Sequence, residues 1–250
     1  MAGVLPFSAS LDTLGFFTHT PADMCALWQA LGHSLGDAEE LELGAPEPLP
    51  NVDPAMAAAF ENALARLRAS GLIVRPLEIA GTLDELADAN LTVMIYEGAR
   101  FHEQRYAQYG DRLGDALAAL VREGLAMSAD RYDEARRRID AGRRQFAALF
   151  ETTPVILTPA AVGPAPAGLE STGDPRMNAS WTALGTPAIS IPMPVGDALP
   201  LGLQLTAARG RDARLLQAAA RLQETLGTQP LRSDVERSPA ALDRPTDEIR

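Results

Sequence analysis

Three observations predict an α/β fold, a mixed sheet flanked by helices. The stretch from 154 to 206 holds three short apolar runs, Val155 to Thr158, Ala188 to Ile191 and Leu201 to Leu205, each of strand length and bounded by proline or glycine. Arg209-Gly210-Arg211-Asp212 then leads into a helix whose Leu215, Ala219, Leu222 and Leu226 share one stripe, with Gly227 as its stop. Further upstream, a helical stripe of Met56, Phe60, Leu64 and Leu67 is closed by Gly71 and followed at once by the apolar Leu72-Ile73-Val74. Helix, glycine, strand is the rhythm of an α/β layer.

Taken in order, residues 3–19 read as a loop and short strand. Thr20-Pro21-Ala22-Asp23 reads as a helix start: a hydroxyl cap, proline at the first helical position and an acid three residues after the cap. Met24, Leu27, Trp28 and Leu31 follow at helical spacing, which predicts a core-facing stripe ended by Gly32, with Cys25 as an inert buried thiol. The acidic, proline-containing text from 36 to 50 predicts an exposed connection with room for one short strand. Asp53-Pro54 opens the second helix and Leu72-Ile73-Val74 forms a strand after it.

Residues 82–150 lack proline and predict three helices with breaks near Gly110, Gly124 and Ser128. In the last of them Glu134 with Arg138 and Asp140 with Arg144 stand one turn apart, so the arginine-rich side reads as a solvated, salt-bridged face. Among the closing strands, the first two runs are continuously apolar and predict coverage on both faces. Leu201, Leu203 and Leu205 alternate with Gly202, Gln204 and Thr206 and predict a half-covered strand. Residues 1–227 thus read as one domain, and the charged, proline-containing text of 228–250 as a disordered tail.

Composition narrows the chemistry. All 22 basic residues are arginine, so no lysine is present to give and take a proton. A formal net charge of −11 disfavours nucleic acid phosphates and anionic membranes as partners. No run approaches the ~20 apolar residues of a membrane helix, and the uncharged start has no secretory pattern, so the cytoplasm is the expected compartment. One cysteine and scattered His19, His33 and His102 give no metal-ligand spacing, and neither a phosphate loop nor a G-x-S-x-G elbow occurs, so no metal or cofactor is expected.

The wording of the closing unit, Trp181-Thr182-x-Leu184-Gly185-Thr186-Pro187-Ala188-Ile189-Ser190-Ile191-Pro192, then Leu199-Pro200-x-Gly202-Leu203-Gln204-Leu205 and Arg211-Asp212-Ala213-x-Leu215-Leu216, resembles the C-terminal part of amidase-signature enzymes. Gly3 to Ser8 and Ser10-Leu11-Asp12-Thr13-Leu14-Gly15-Phe16 resemble the segment that follows the nucleophile region in that family, so the likeness covers roughly residues 3 to 227. It implies the C-terminal portion of an α/β/α amidase fold and cleavage or transfer of amide nitrogen by a serine, a second serine in a cis peptide bond and a proton-shuttling lysine. None of those three positions falls on a residue here. The resemblance therefore implies a chain inactive by itself, whose substrate would be a small amide once completed. A non-catalytic subunit that finishes a pocket on another polypeptide, or a homo-oligomer, is the alternative.

Pocket residues are implied by position in the motif. Met177 to Thr182 read as the loop before the second strand run, which brings Asn178, Trp181 and Thr182 forward as substrate-binding candidates, with the Trp181 ring as a flat surface for an acyl group. Packing of that ring in the core is the competing reading. Asp12 is a fourth candidate. Ser-x-Asp before a turn also suits a loop that ties its own backbone, and Glu97 on its helix suits a hydrogen-bonded rather than a catalytic acid.

Overall fold

A computed structural model describes residues 3–37 and 40–227. The tail 228–250, expected to be disordered, lies outside the described residues. Five strands, β1 (Leu43–Pro46), β2 (Val74–Leu77), β3 (Val155–Pro159), β4 (Ala188–Pro192) and β5 (Gly202–Ala207), form one mixed sheet in the order β2-β1-β3-β5-β4. β1 runs parallel to both β2 and β3, whereas β5 runs antiparallel to β3 and β4. Seven α-helices among the described residues accompany them: α1 (Pro21–Ala30), α2 (Pro54–Ala69), α3 (Ala80–Tyr109), α4 (Asp115–Ala126), α5 (Ala129–Thr152), α6 (Arg176–Leu184) and α7 (Asp212–Leu226).

The period-2 alternation of the strands sorts side chains into two cores. Val155 and Leu157 of β3 with Leu203, Leu205 and Ala207 of β5 pack under Phe60 and Leu67 of α2 and Leu215, Ala219 and Leu222 of α7. On the opposite face Ile156 meets Trp181 and Leu184 of α6, Phe146 of α5 and Val93 of α3. The expected α/β/α layering is therefore present.

Several local expectations meet a physical correction. β1 is an internal strand with all four residues buried, not part of an exposed connection, because β2 and β3 flank it on both sides. β2 begins at Val74, leaving Ile73 69% exposed at its mouth. Residues 3–19 form no strand. The coverage of the last two strands is also reversed. β4 is the edge strand and exposes Ala188 and Ser190, while β5 is internal and buries Gln204 and Thr206 along with its leucines.

α1 has the expected start: Thr20 Oγ1 accepts from Asp23 N at 3.1 Å while the Asp23 carboxylate accepts from Thr20 N at 3.0 Å. Its stripe does not reach the core, however. Only Pro21 is buried, Met24, Leu27 and Trp28 are half-buried, Leu31 is exposed, and Cys25 is half-buried rather than enclosed.

Gly124 breaks no helix but lies inside α4, where it allows α4 to approach α3. A Cβ there would meet the Ile95 carbonyl oxygen and the Ala99 Cβ. Alanine is favoured over glycine in a helix by about 1 kcal/mol, but a clash with backbone outweighs that preference. Urea unfolding of Gly124→Ala is expected to show a loss of about 1–3 kcal/mol. Gly81→Ala, with open space beside it in α3, is expected to be neutral or stabilising by up to about 1 kcal/mol.

Candidate functional site

On one face of the sheet, α6 packs Trp181 and Leu184 in the cluster with Ile156 of β3 and lends the Met177 carbonyl to Gln204 of β5. Cross-strand pairing sets Gln204 between Thr158 of β3 and Ser190 of β4 on that face. Gln204 is 3% exposed, and its Nε2 donates to Thr158 Oγ1 at 3.2 Å and to the Met177 carbonyl at 3.0 Å. A carbonyl only accepts, so the Met177 contact fixes which end of the amide is nitrogen. Gln204 lines the clefts beside β4. Next to it on β5, Thr206 Oγ1 is buried without a partner among the described residues.

Two clefts meet over this floor, of about 530 and 630 Å³. Leu14, Asn178, Ala188, Gln204 and Asp212 are among the residues they share. The first runs between β4, α7 and α1 and is largely apolar. The second is bounded by Ser10 to Gly15, by Trp181 and Thr182 of α6, and by Arg143 and Arg209.

The segment Met177 to Thr182, expected as a loop, is the body of α6. Asp174 Oδ1 accepts from Arg176 N at 2.9 Å at its start, and Gly185 in the left-handed region (φ 69°) ends it. Met177, Trp181 and Leu184 are buried at helical spacing, and Asn178 and Thr182 fall on the cleft side. Trp181 is 2% exposed and meets Phe146 edge-on at 5.5 Å between ring centroids, so it is chiefly core and offers the cleft only part of its surface. Asn178 is exposed, with Nδ2 directed at the Ala160 carbonyl at 3.4 Å.

Asp12 also lines the second cleft, but its carboxylate accepts from Phe7 N at 2.8 Å and Ser8 N at 3.0 Å, so it ties its own loop. That loop is fastened to the helices by Glu97. Its carboxylate accepts from Ser8 Oγ at 2.8 Å, Ser10 N at 3.0 Å, Ser10 Oγ at 2.7 Å and the Tyr132 hydroxyl at 2.8 Å, with the Arg136 guanidinium 3.7 Å away. Burial pushes Glu97 up, but the hydrogen bonds from Ser10, Ser8 and Tyr132 outweigh it and hold the carboxyl below its ordinary value. With four donors on its two oxygens, the Glu97 carboxylate is engaged as a tether of the loop.

The helix charges pair as spaced for Glu134, which meets Arg138 at 3.2 Å and Arg137 at 2.9 Å. Asp140 instead takes Arg143 at 3.4 Å rather than Arg144. Arg143 also donates through Nε and Nη2 to the Ala183 carbonyl, at 3.1 and 2.8 Å, bracing α5 on α6. His19 and Ser190 both line the apolar cleft. Among the described residues no cluster of three or more His, Cys, Asp or Glu is arranged to hold a metal ion. No helix among them is long and apolar enough to cross a membrane. What these residues offer is a polar floor, an aromatic buttress and a tethered rim.

The amidase family profile matches residues 1–216. This chain belongs to the amidase-signature family. Its amidase relatives include the 2-amino-5-chloromuconic acid deaminase of Comamonas testosteroni, 29% identical over 90% of this chain and 54% of that protein. Another is a glutamyl-tRNA(Gln) amidotransferase subunit from Symbiobacterium thermophilum, 25% identical over 87% of this chain and 55% of that protein. The indoleacetamide hydrolase of Bradyrhizobium japonicum is 26% identical over 73% of this chain and 41% of that enzyme. A crystallised amidase superposes with a TM-score of 0.81 at 25% identity, covering 90% of this chain and 55% of its own. A protein from a vestigial complex linked to the origins of an s-triazine catabolic enzyme shares the fold, with a TM-score of 0.76 at 21% identity over 92% of this chain and 57% of its own. The chain thus spans about half the length of these relatives.

Gln204, Ser190 and Arg209 are not site candidates by sequence. The signal for Gln204 is present, since the alternation of β5 sets it on the polar face, but nothing local reveals that α6 lies against it. Glu97 is expected to make stability acid-sensitive: a depressed folded pKa contributes stability above the ordinary glutamate value of about 4.3, and this is lost as pH falls through the lowered folded value. Thermal unfolding of Glu97→Gln between pH 3 and 7 should show a lower melting temperature at pH 7 and a shallower fall toward acid than the unaltered chain.

Proposed function

We propose that this chain forms the substrate-facing wall of an amidase that cleaves the carbon–nitrogen bond of a small amide, with the nucleophilic serine, the second serine and the lysine supplied by residues outside these 250, on this polypeptide or on a partner. The observation that carries the reading is the absence of lysine throughout the sequence of an amidase-family chain. Arginine stays protonated at working pH and cannot act as the proton shuttle. The cleft geometry agrees with it: nucleophile, base and oxyanion donors must converge on one carbonyl, and the described residues bring walls to that place without the converging set.

In this reading Asn178 and Thr182 face the amide from α6, Trp181 holds the wall behind them, and Asp12 keeps the rim loop closed. No metal or cofactor takes part, and the cytoplasm is the working compartment. A second reading, a non-catalytic subunit finishing a pocket on a partner chain, is favoured by the relatives that are themselves named as parts of an amidotransferase.

Indoleacetamide hydrolysis, followed by ammonia release, tests the reading. The purified chain is expected to show no turnover above buffer. Activity is expected to appear when a segment carrying the two serines and the lysine is added, and Asn178→Ala should then raise KM several-fold while leaving the melting temperature unchanged. Robust turnover by the chain alone, abolished by a serine-directed reagent, would contradict the reading.

A further inference from the structure

The second cleft, of about 630 Å³, carries four charged side chains in its walls: Asp12, Arg143, Arg209 and Asp212. Three of the four are already answered. The Asp12 carboxylate accepts from two backbone N–H groups of its own loop. Arg143 donates to the Ala183 carbonyl through Nε and Nη2 and meets Asp140 through Nη1 at 3.4 Å. Asp212 stands in the first turn of α7, where the helix dipole favours an acid. Arg209 is the exception: among the described residues no group accepts a hydrogen bond from its guanidinium and no carboxylate pairs with it.

This unpaired guanidinium is nonetheless held in place. Gly185, which ends α6, has no Cβ, and Arg209 Nε and Cζ lie 3.5 and 3.6 Å from where one would stand. Arg209 also acts on a like charge. Burial pushes the Arg143 guanidinium below its ordinary value, Asp140 opposes that, and the positive charge of Arg209 adds to the fall. Two guanidinium groups in one another's field, one of them unpaired, mark a place that an anion would stabilise. The same cleft holds an acceptor. Gln204 engages Nε2 with Thr158 and the Met177 carbonyl, while its Oε1 accepts from no group among the described residues.

We infer that Arg209, in the field of Arg143, forms a carboxylate subsite, so that the small amide of the proposed function is a half-amide of a dicarboxylic acid, with its carboxylate on Arg209 and its amide nitrogen toward Gln204. The inference deepens that reading and rests on it. Arginine suits the task because its planar fork takes a carboxylate through two parallel N–H···O bonds. A neutral amide would leave the guanidinium as unpaired as it stands. Phosphate fits the same fork but brings no N–H for Gln204, so the amide end separates a substrate from a free anion.

The probes are succinamate and glutaramate, with the neutral diamides succinamide and glutaramide as controls. Each is titrated onto the chain and followed by calorimetry and by the backbone amide resonances of Gly185 and Gly210. A half-amide is expected to bind about tenfold or more tightly than its diamide, and to lose that advantage in Arg209→Gln. Arg211→Gln, exposed in the same turn but outside the cleft lining, should bind as the unaltered chain does, and the melting temperatures of all three should agree. Equal binding of half-amide and diamide, an advantage that survives Arg209→Gln, or no binding of any probe overturns the subsite. Inorganic phosphate that binds as tightly as the half-amides makes Arg209 a general anion site and overturns the assignment to an amide. Turnover of indoleacetamide by the completed enzyme, alongside any of these failures, leaves the proposed function standing without the subsite.

Discussion

Coverage of the sheet is the constraint from which the rest of the molecule follows. Five strands need two covered faces, and α2 with α7 supplies one. The other is closed by α3, α5 and α6, and α6, with nine residues, is only about 13 Å long. It meets Ile156 of β3 and Gln204 of β5. Polar groups on β5 are tolerated in the interior because α6 lends a carbonyl and β3 a hydroxyl to Gln204. Where α6 ends, the floor opens into the two clefts, and the candidate site, the free edge and the exposed apolar rim all occur there.

The rim is held by electrostatics rather than by packing. Residues 3–19 form no regular element, and Phe16 and Phe17 are turned outward, so most of this segment gains little from burial. Glu97 compensates at one point by gathering two serines and a tyrosine, while Asp12 closes the turn on itself. The charge-assisted bonds converge from α3, α5 and the loop, and the Tyr96 and Tyr132 rings stack at 4.2 Å beside them. A carboxylate used in this way anchors a wall of the cleft. The chain that carries this scaffold contains no lysine.

Where helices bury a broad stripe in the chain's own core, their positions are legible in the sequence. α2, α3, α5 and α7 stand close to where periodicity, caps and glycine stops set them, as do the three closing strands. The misses share a cause: depth in the sheet is set by neighbours distant in sequence. β1 is buried because β2 and β3 flank it, and β4 is exposed because no strand among the described residues follows it in the sheet, although its own residues read as a fully covered strand. α1 shows the same limit, for its stripe is genuine but packs on α7 at the rim of the molecule rather than in the core, and its large side chains stay half-buried. At the site, motif position brings Asn178, Thr182, Trp181 and Asp12 to one cleft, but only the fold separates their roles into wall, buttress and tether.

The central claim, that this is an amidase wall left open along β4, is most directly tested by native-state amide hydrogen exchange on the chain alone. Amides of β3 and β5 should exchange only through global unfolding, while those on the outer edge of β4 and throughout α1 exchange orders of magnitude faster, through local opening. Equal protection of β4 and β3 in a monomer would contradict the account, because it would mean that the edge is already closed by the chain itself.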